Sequence, residues 1–386
     1  MKIETLLCIC LCLILVTILV AFIIRICTRQ GCDGSLNCGS DANHCCYRFQ
    51  NFVIKPIVSD IPGMAPVISD NVANPWGIVR NPDSDEFWVA QNEAGFLTLL
   101  NSDGTTVLNV TIPVSSSSMG ATGSPSGVVT VPLTLQEEKA FPVGITGTTG
   151  SAQVLTVTED GLICGFNQTS LSSNNNIAIT IKDNSSSNAV YKGCAISDAG
   201  RFYACNFSSG RIEVYDTKWN LSTTISDSVM IALGYSPFNV IIHHNAMYVT
   251  FALQSGTDHS LDITGEGNGF VLVYDLNGML LKRLISRGVL NSPWGMTIFQ
   301  KHIFIANSGD GVINVFDRCS GKYIGTILSR CRVPIVIEGL KGILLEQQKA
   351  TLLCKSKCEP CKKGFWFTAG INHDTSGLIG RAIRFR

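Results

Sequence analysis

One pattern constrains this chain more than any other: a unit of three short apolar runs, broken by tight turns, that recurs along its length. Asn291–Ser320 shows it in full. A Pro293-Trp294-Gly295 turn leads into Met296–Phe299, a second run follows at Ile303–Asn307, and a Gly309-Asp310-Gly311 turn opens an alternating run at Val312–Phe316. Apolar runs this short, punctuated by Gly, Asp, Asn and Ser, predict strands joined by turns and leave no room for a helix. The unit therefore reads as an antiparallel β-meander.

Its opening turn returns at Asn74-Pro75-Trp76-Gly77, Ser124-Pro125-Ser126-Gly127, Tyr191-Lys192-Gly193, Ser236-Pro237-Phe238-Asn239 and Leu340-Lys341-Gly342. The second run returns at Phe87–Asn92, Val154–Thr158, Phe202–Phe207, Met247–Ala252 and Phe365–Gly370; the third begins after Gly95, Gly161, Gly210, Gly269 and Gly377. A spacing of roughly fifty to sixty residues is near the blade length of β-propellers. One small sheet cannot bury both faces, whereas a ring of them can, leaving only short protected edges. The last copy has no fourth strand before the chain stops at Arg386, and the apolar segment Phe52–Ser59 upstream of the first copy has no other assignment. Placed beside the last copy, it closes the ring. The expectation is an all-β, six-bladed propeller over residues 51–386.

Ahead of it, Leu6–Ile24 is an apolar run without a charge. At 1.5 Å per residue such a run just crosses a hydrocarbon core of about 30 Å. The residues after it, Ile23-Ile24-Arg25-Ile26-Cys27, offer no small-residue cleavage site. Residues 1–28 are thus expected to be a transmembrane anchor, not a removed signal, and residues 29–50 a Cys-rich stalk. Arg25 and Arg29 lean towards a cytoplasmic propeller by the positive-inside rule. Two features lean the other way: the sequons at Asn109, Asn167, Asn184, Asn206 and Asn220, and 16 cysteines, of which only Cys8, Cys10 and Cys12 precede Cys27. Both suit an oxidising compartment, so the propeller is expected on the extracytoplasmic or lumenal side.

The cysteines divide into three groups. Cys32, Cys38, Cys45 and Cys46 read as a disulfide-stapled stalk in preference to a zinc knuckle with His44, because their spacing matches no paired C-x₂-C pattern. Cys354, Cys358 and Cys361 lack an obvious fourth metal ligand and read as disulfide partners. Cys194 and Cys205 flank a tight turn at Asp198–Arg201. If that turn is symmetric they oppose each other across a hairpin, near enough to bridge; the alternative is two buried thiols.

Lys+Arg and Asp+Glu both number 29, the formal charge is zero and 15% of residues are charged. No basic run or basic-aromatic strip occurs, which argues against nucleic acid as a partner. The Ser-rich piece Ser115–Ser126 and the polar piece Ser170–Asn188 read as exposed loops between blades.

In a meander the start of the first strand and the end of the second share one sheet edge. Trp76, Asn239 and Trp294 fall at first-strand starts; Asn92, Glu159, Asp160, Asn206 and Asn307 fall at second-strand ends, with Asp310 in the adjoining turn. Convergent polar groups with aromatic walls are the usual make-up of a ligand site. The plainer alternative is that the Asn and Asp cap turns and the Trp pack between blades.

Two classes of function follow. One is a membrane-anchored binding module for a protein or a glycan. The other is a Ca²⁺-dependent hydrolase with the ion in the channel mouth, held by hard oxygens such as those of Glu159 and Asn239. Lys192 and Lys341 would repel a cation there. The histidines His243, His244, His259, His302 and His373 are scattered, and no G-x-S-x-G or H-E-x-x-H occurs. The binding module is the expectation, with no catalytic residue assigned.

Several of these pieces, in order, carry a resemblance: Asn74-Pro-Trp-Gly, Thr158-Glu-Asp-Gly161, Tyr191-Lys-Gly193, Ser236-Pro-Phe-Asn239, Gly267-Asn-Gly-Phe270, Asn291-Ser-Pro-Trp-Gly295, Asn307-Ser-Gly-Asp-Gly311 and Phe367-Thr-Ala-Gly-Ile371. From about Val58 to Gly380 the chain resembles a family of secreted bacterial NHL-like β-propellers. The resemblance implies a propeller in an extracytoplasmic setting, and it supplies no catalytic residues. The chain departs from that pattern in its N-terminal apolar run, its Cys-rich stalk and the Lys/Cys insertion at Lys349–Lys363.

Overall fold

Each recurrence folds as a four-stranded antiparallel meander, and six of these stand around one axis as blades. The computed structural model describes residues 49–384, apart from 83, 146–147, 170–175 and 347–363. The innermost strands of blades 1 to 6 are Pro75–Arg80, Pro125–Thr130, Tyr191–Ser197, Tyr235–His243, Pro293–Phe299 and Leu340–Leu345. Each touches the innermost strand on either side of it, so the ring is complete. The protein is a six-bladed β-propeller.

Closure occurs where the sequence places it. Phe52–Ser59 pairs antiparallel with Ser376–Arg384 as the fourth strand of blade 6, in register from Phe52↔Arg384 to Ser59↔Leu378, and the two-residue strand Val67–Ile68 adds a fifth, parallel to its end. Pro56 lacks an N–H, and an outer strand is where a sheet tolerates it. Propeller packing begins slightly earlier than the expected boundary at residue 51. Phe49 is buried in the seam between blades 5 and 6, and its carbonyl accepts from Leu328 N at 2.8 Å.

The apolar alternation of the strands is spent between blades. Among the described residues, six core clusters each draw on two adjacent blades, as where Val240, Met247 and Val249 of blade 4 meet Tyr203, Ile212 and Val214 of blade 3. A seventh, Trp76, Phe207, Phe238, Ala252 and Trp294, lies at the channel. The repeat pattern does not announce the short helix Leu133–Glu137 and the hairpin Pro142–Ile145/Thr148–Ser151, which lie between the first two strands of blade 2. Nor does it announce the helix Ser228–Ala232, capped by Asp227 Oδ1 accepting from Val229 N (2.9 Å) and Met230 N (3.0 Å).

The recurring opening turns have a shared physical cause. Gly77, Gly127, Gly193, Gly295 and Gly342 form a waist where neighbouring innermost strands come together. A Cβ on Gly77 would lie 2.8 Å from Ser126 O, and one on Gly127 2.9 Å from Gly193 Cα. On Gly295 it would overlap Lys341 O. Only glycine permits backbones so close. Blade 4 carries Asn239 at the equivalent place, and its side chain closes the gap: Nδ2 donates to Trp294 O at 3.0 Å, and Oδ1 accepts from Val240 N at 2.8 Å. Below the aromatic cluster all six innermost strands enclose a channel cavity of ≈ 250 Å³.

The Cys194–Cys205 bridge is not formed; both thiols are free and buried. The hairpin pairs Ser197 with Arg201 and Cys194 with Ala204. Its loop therefore holds three residues, closed by Gly200 at φ 75°, where a symmetric two-residue turn was expected. A one-residue slip sends a side chain to the other face of a sheet. Cys194 accordingly packs in the seam between blades 2 and 3 and Cys205 in that between blades 3 and 4. Burial pushes both thiols up from their ordinary value. Cys354, Cys358 and Cys361, the anchor at residues 1–28 and residues 29–48 of the stalk lie outside the described residues. Among the described residues no helix is long and apolar enough to cross a membrane.

Candidate ligand-binding face

The starts of the innermost strands and the ends of the second strands do share one face, and that face carries two sites. At the centre, Trp76 and Trp294 meet edge to face with ring centroids 5.6 Å apart, and Trp76 meets Phe238 at 6.4 Å. Phe207 packs on Phe238 at 5.1 Å. The indole Nε1 of Trp76 and that of Trp294 are buried with no hydrogen-bond partner among the described residues. Two lysines approach the Trp76 ring, Lys341 Nζ at 4.9 Å and Lys192 Nζ at 5.2 Å from its centroid. Such cation–π contacts contribute about 0.5–2 kcal/mol each, more where water is excluded.

Both ammoniums are also matched by carboxylates. Lys192 is ion-paired with Glu159, and Lys341 lies 3.3 Å from Asp374. The other Glu159 oxygen accepts from Asn92 Nδ2 at 2.8 Å. Burial alone would raise the Glu159 carboxyl, but Lys192, the Asn92 donor and Lys341 outweigh it and hold it below the usual value. Glu93, next along the chain, has the opposite balance: partial burial and the nearby Glu159 and Asp374 charges push it up.

The calcium alternative draws on Glu159 and Asn239, and both have other partners here. Glu159 gives its oxygens to an ammonium and an amide, while both polar atoms of Asn239 bind backbone. Among the described residues no group of three or more His, Cys, Asp and Glu side chains is placed to hold a metal ion.

Trp76, Trp294, Asn92 and Glu159 are thus brought together, with Asn239 bound to the Trp294 carbonyl. The remaining candidates are engaged elsewhere. Asn206 Nδ2 donates to Glu213 Oε1 at 2.8 Å; Tyr191 and Tyr215 hydroxyls donate to Oε2 at 2.6 and 2.8 Å. That network is what lets Glu213 be buried. Asn307 Nδ2 donates to Val289 O (2.7 Å) and to Asp310 Oδ2 (3.2 Å). Partial burial raises Asp310, against hydrogen bonds that lower it.

Asp160 points to the second site. Its two oxygens accept from Ser124 N and Ser115 N, both at 3.1 Å, and fasten the loop between blades 1 and 2. That loop, the turns after Asn206 and Gln254, and the Ser185–Val190 connection wall a cleft of ≈ 920 Å³ over blades 2, 3 and 4. Ser115 is only 3% exposed, although its segment reads as an exposed loop. Serines in a loop give no periodic signal, and no copy of the repeat has them in the same place.

The sequons are altered by the same geometry. Asn206 is 2% exposed and belongs to the Glu213 network, to which Asn184 Nδ2 also donates through Tyr191 Oη at 2.7 Å. Folded, neither amide can carry a glycan without breaking that network. Asn167 Nδ2 donates to Ser151 O, and the Asn109 Oδ1 is buried. Asn220 is exposed, its Nδ2 donating to Asp216 in the same turn.

No protein-family model matches the chain, so the motif resemblance gains no support from that comparison. Its sequence is similar to uncharacterized proteins of Acanthamoeba polyphaga mimivirus: protein L690, 25% identical over 340 residues, covering 85% of this chain and 84% of that one; and protein R648, 25% identical over 351 residues, covering 85% and 79%. Protein R640 of the same virus is 31% identical over 250 residues, which cover 62% of this chain and 44% of that protein. Among solved structures, virginiamycin B lyase from Staphylococcus aureus is 10% identical with a TM-score of 0.48, covering 87% of this chain and all of that one. A chain of the nidogen/laminin complex is 10% identical with a TM-score of 0.44, covering 70% of this chain and 84% of that one. Likenesses this distant carry no argument about chemistry.

Proposed function

We propose that the protein is a membrane-anchored β-propeller that binds a protein or glycan ligand on the face formed by first-strand starts and second-strand ends. The observation that carries this reading is the cleft over blades 2–4, adjoined by a rim whose two lysines are each held by a carboxylate. A rigid, preorganised wall with few mobile charges suits recognition, because little must be ordered on binding. The apolar run Leu6–Ile24 supports tethering by the N-terminus. Heavy cysteine usage and the exposed Asn220 sequon support an extracytoplasmic propeller, in the setting that the motif resemblance implies.

The test is a binding screen of the full-length protein in detergent against a panel of glycans and purified cell-surface proteins. Ser209→Trp, which fills the cleft, is expected to abolish capture; Lys218→Trp, in a turn at the opposite ends of the blade 3 strands, is expected to leave it intact. Equal loss in both, or retention in both, would remove this face from consideration.

A further inference from the structure

Resting on that reading, the lining of the cleft narrows the ligand. Ser187, Ser209 and Thr257 present hydroxyls, Asp160 and Asp258 present carboxylates, and His259 presents an imidazole. No lysine, arginine, phenylalanine, tyrosine or tryptophan is among the described lining residues. Ser115 supplies an independent sign of an absent partner. It is 97% buried by its 3% exposure, it lines the cleft, and its Oγ has no hydrogen-bond partner among the described residues. Buried hydroxyls in native proteins are otherwise nearly always paired.

We propose that the cleft binds a neutral oligosaccharide, with Ser115 Oγ as a buried contact to a sugar hydroxyl. An anionic ligand would meet two carboxylates and, as the one basic side chain of the described wall, His259, whose Nδ1 lies 3.2 Å from Gln254 Oε1; the nearby Lys192 is committed to Glu159. An apolar ligand would strand the hydroxyls. Sugar hydroxyls both donate and accept, which is what a wall of serines and carboxylates can satisfy. At ≈ 920 Å³ the cleft is at the upper end of small-ligand sites, which run from about 300 to 1,000 Å³, and so has room for more than one ring. With no aromatic platform, recognition is through ring edges.

The experiment is a glycan array probed with the full-length protein, carrying matched neutral, sialylated and sulfated oligosaccharides, with hits followed by titration calorimetry. Binding is expected among the neutral glycans and weaker by at least about tenfold on their sialylated or sulfated forms. Ser115→Ala is expected to weaken binding by about 2- to 10-fold, the worth of one neutral hydrogen bond, with no fall in melting temperature. Ser209→Trp is expected to abolish it. Preference for acidic glycans, or unchanged affinity in Ser115→Ala with lowered stability, would overturn the proposal. Capture of a protein from the earlier screen, blocked by Ser209→Trp and with no glycan bound, would sink the sugar assignment and leave the binding face standing. Absence of any ligand would sink both.

Discussion

The channel waist and the cleft over blades 2–4 are both made of small residues, for opposite reasons. At the waist, Gly77, Gly127, Gly193, Gly295 and Gly342 are small because another backbone occupies the space a side chain would need. In the cleft, Ser187, Ser209 and Thr257 are small and leave space empty. The first use is imposed by ring closure and so repeats in five of the six blades, with Asn239 in its place in blade 4. The second belongs to one sector and repeats nowhere. Residue size alone does not separate a structural position from a functional one; what lies within a bond length of the missing atom does.

Substitutions can break or sharpen that contrast. The largest effect is expected at the waist. Gly295→Val forces a side chain into the Lys341 carbonyl, which cannot yield without shifting blade 6, and overpacking of this kind costs about 3 kcal/mol or more. Denaturant unfolding should show the loss, or the variant should fail to fold. Lys192→Met, at the rim between the two regions, leaves Glu159 without its ammonium. Breaking a buried pair costs about 3–5 kcal/mol, less here because Glu159 keeps 26% side-chain exposure, so about 2 kcal/mol is expected. Adding Glu159→Gln should recover most of it. A double variant no better than the single one would show that the ion pair is incidental.

A pH effect should follow from the seams, not the cleft. Burial, with help from Lys301, holds His302 down at about 4, and burial with His244 and Arg318 does the same to His243. Below the ordinary imidazole value of about 6.5 the unfolded chain binds protons that the folded one refuses. Stability is therefore fully present above pH 6.5 and lost as pH falls towards 4. Melting temperatures across that window should decline, and His302→Gln should flatten the slope; an unchanged slope would mean that the seam does not set it. The smallest effect is expected from Ser209→Trp in the cleft, where stability should move by no more than about 0.5 kcal/mol. A waist-sized loss there would erase the distinction.

How much of this was legible in the sequence follows from the same contrast. The six blades and the closing role of Phe52–Ser59 are readable because hydrophobic alternation and turn glycines recur, whereas Pro75–Gly77 and Pro293–Gly295, which read as turns, are the first residues of innermost strands. Trp76 and Trp294 are readable as sharing one face because the Pro-Trp-Gly motif occurs twice. Facing of Cys194 and Cys205 was misjudged because one extra loop residue, with Gly200 at φ 75°, shifts the pairing. The roles of Asn206 and Asn239 as internal hydrogen-bond donors needed Glu213 on the next strand and the Trp294 carbonyl 55 residues away. The cleft needed four segments from Ser115 to Ser260 laid side by side.

The pairing of Phe52–Ser59 with Ser376–Arg384 also sets an order in time. Within the propeller the first long strand must wait for the last, so blade 6 stays unfinished until Ser376–Arg384 has been made. Until then the ring stands open, and both of its end sheets offer bare edges to any neighbouring chain. Loss of Ser376–Arg384 would fall on the joint that makes a circle out of a row.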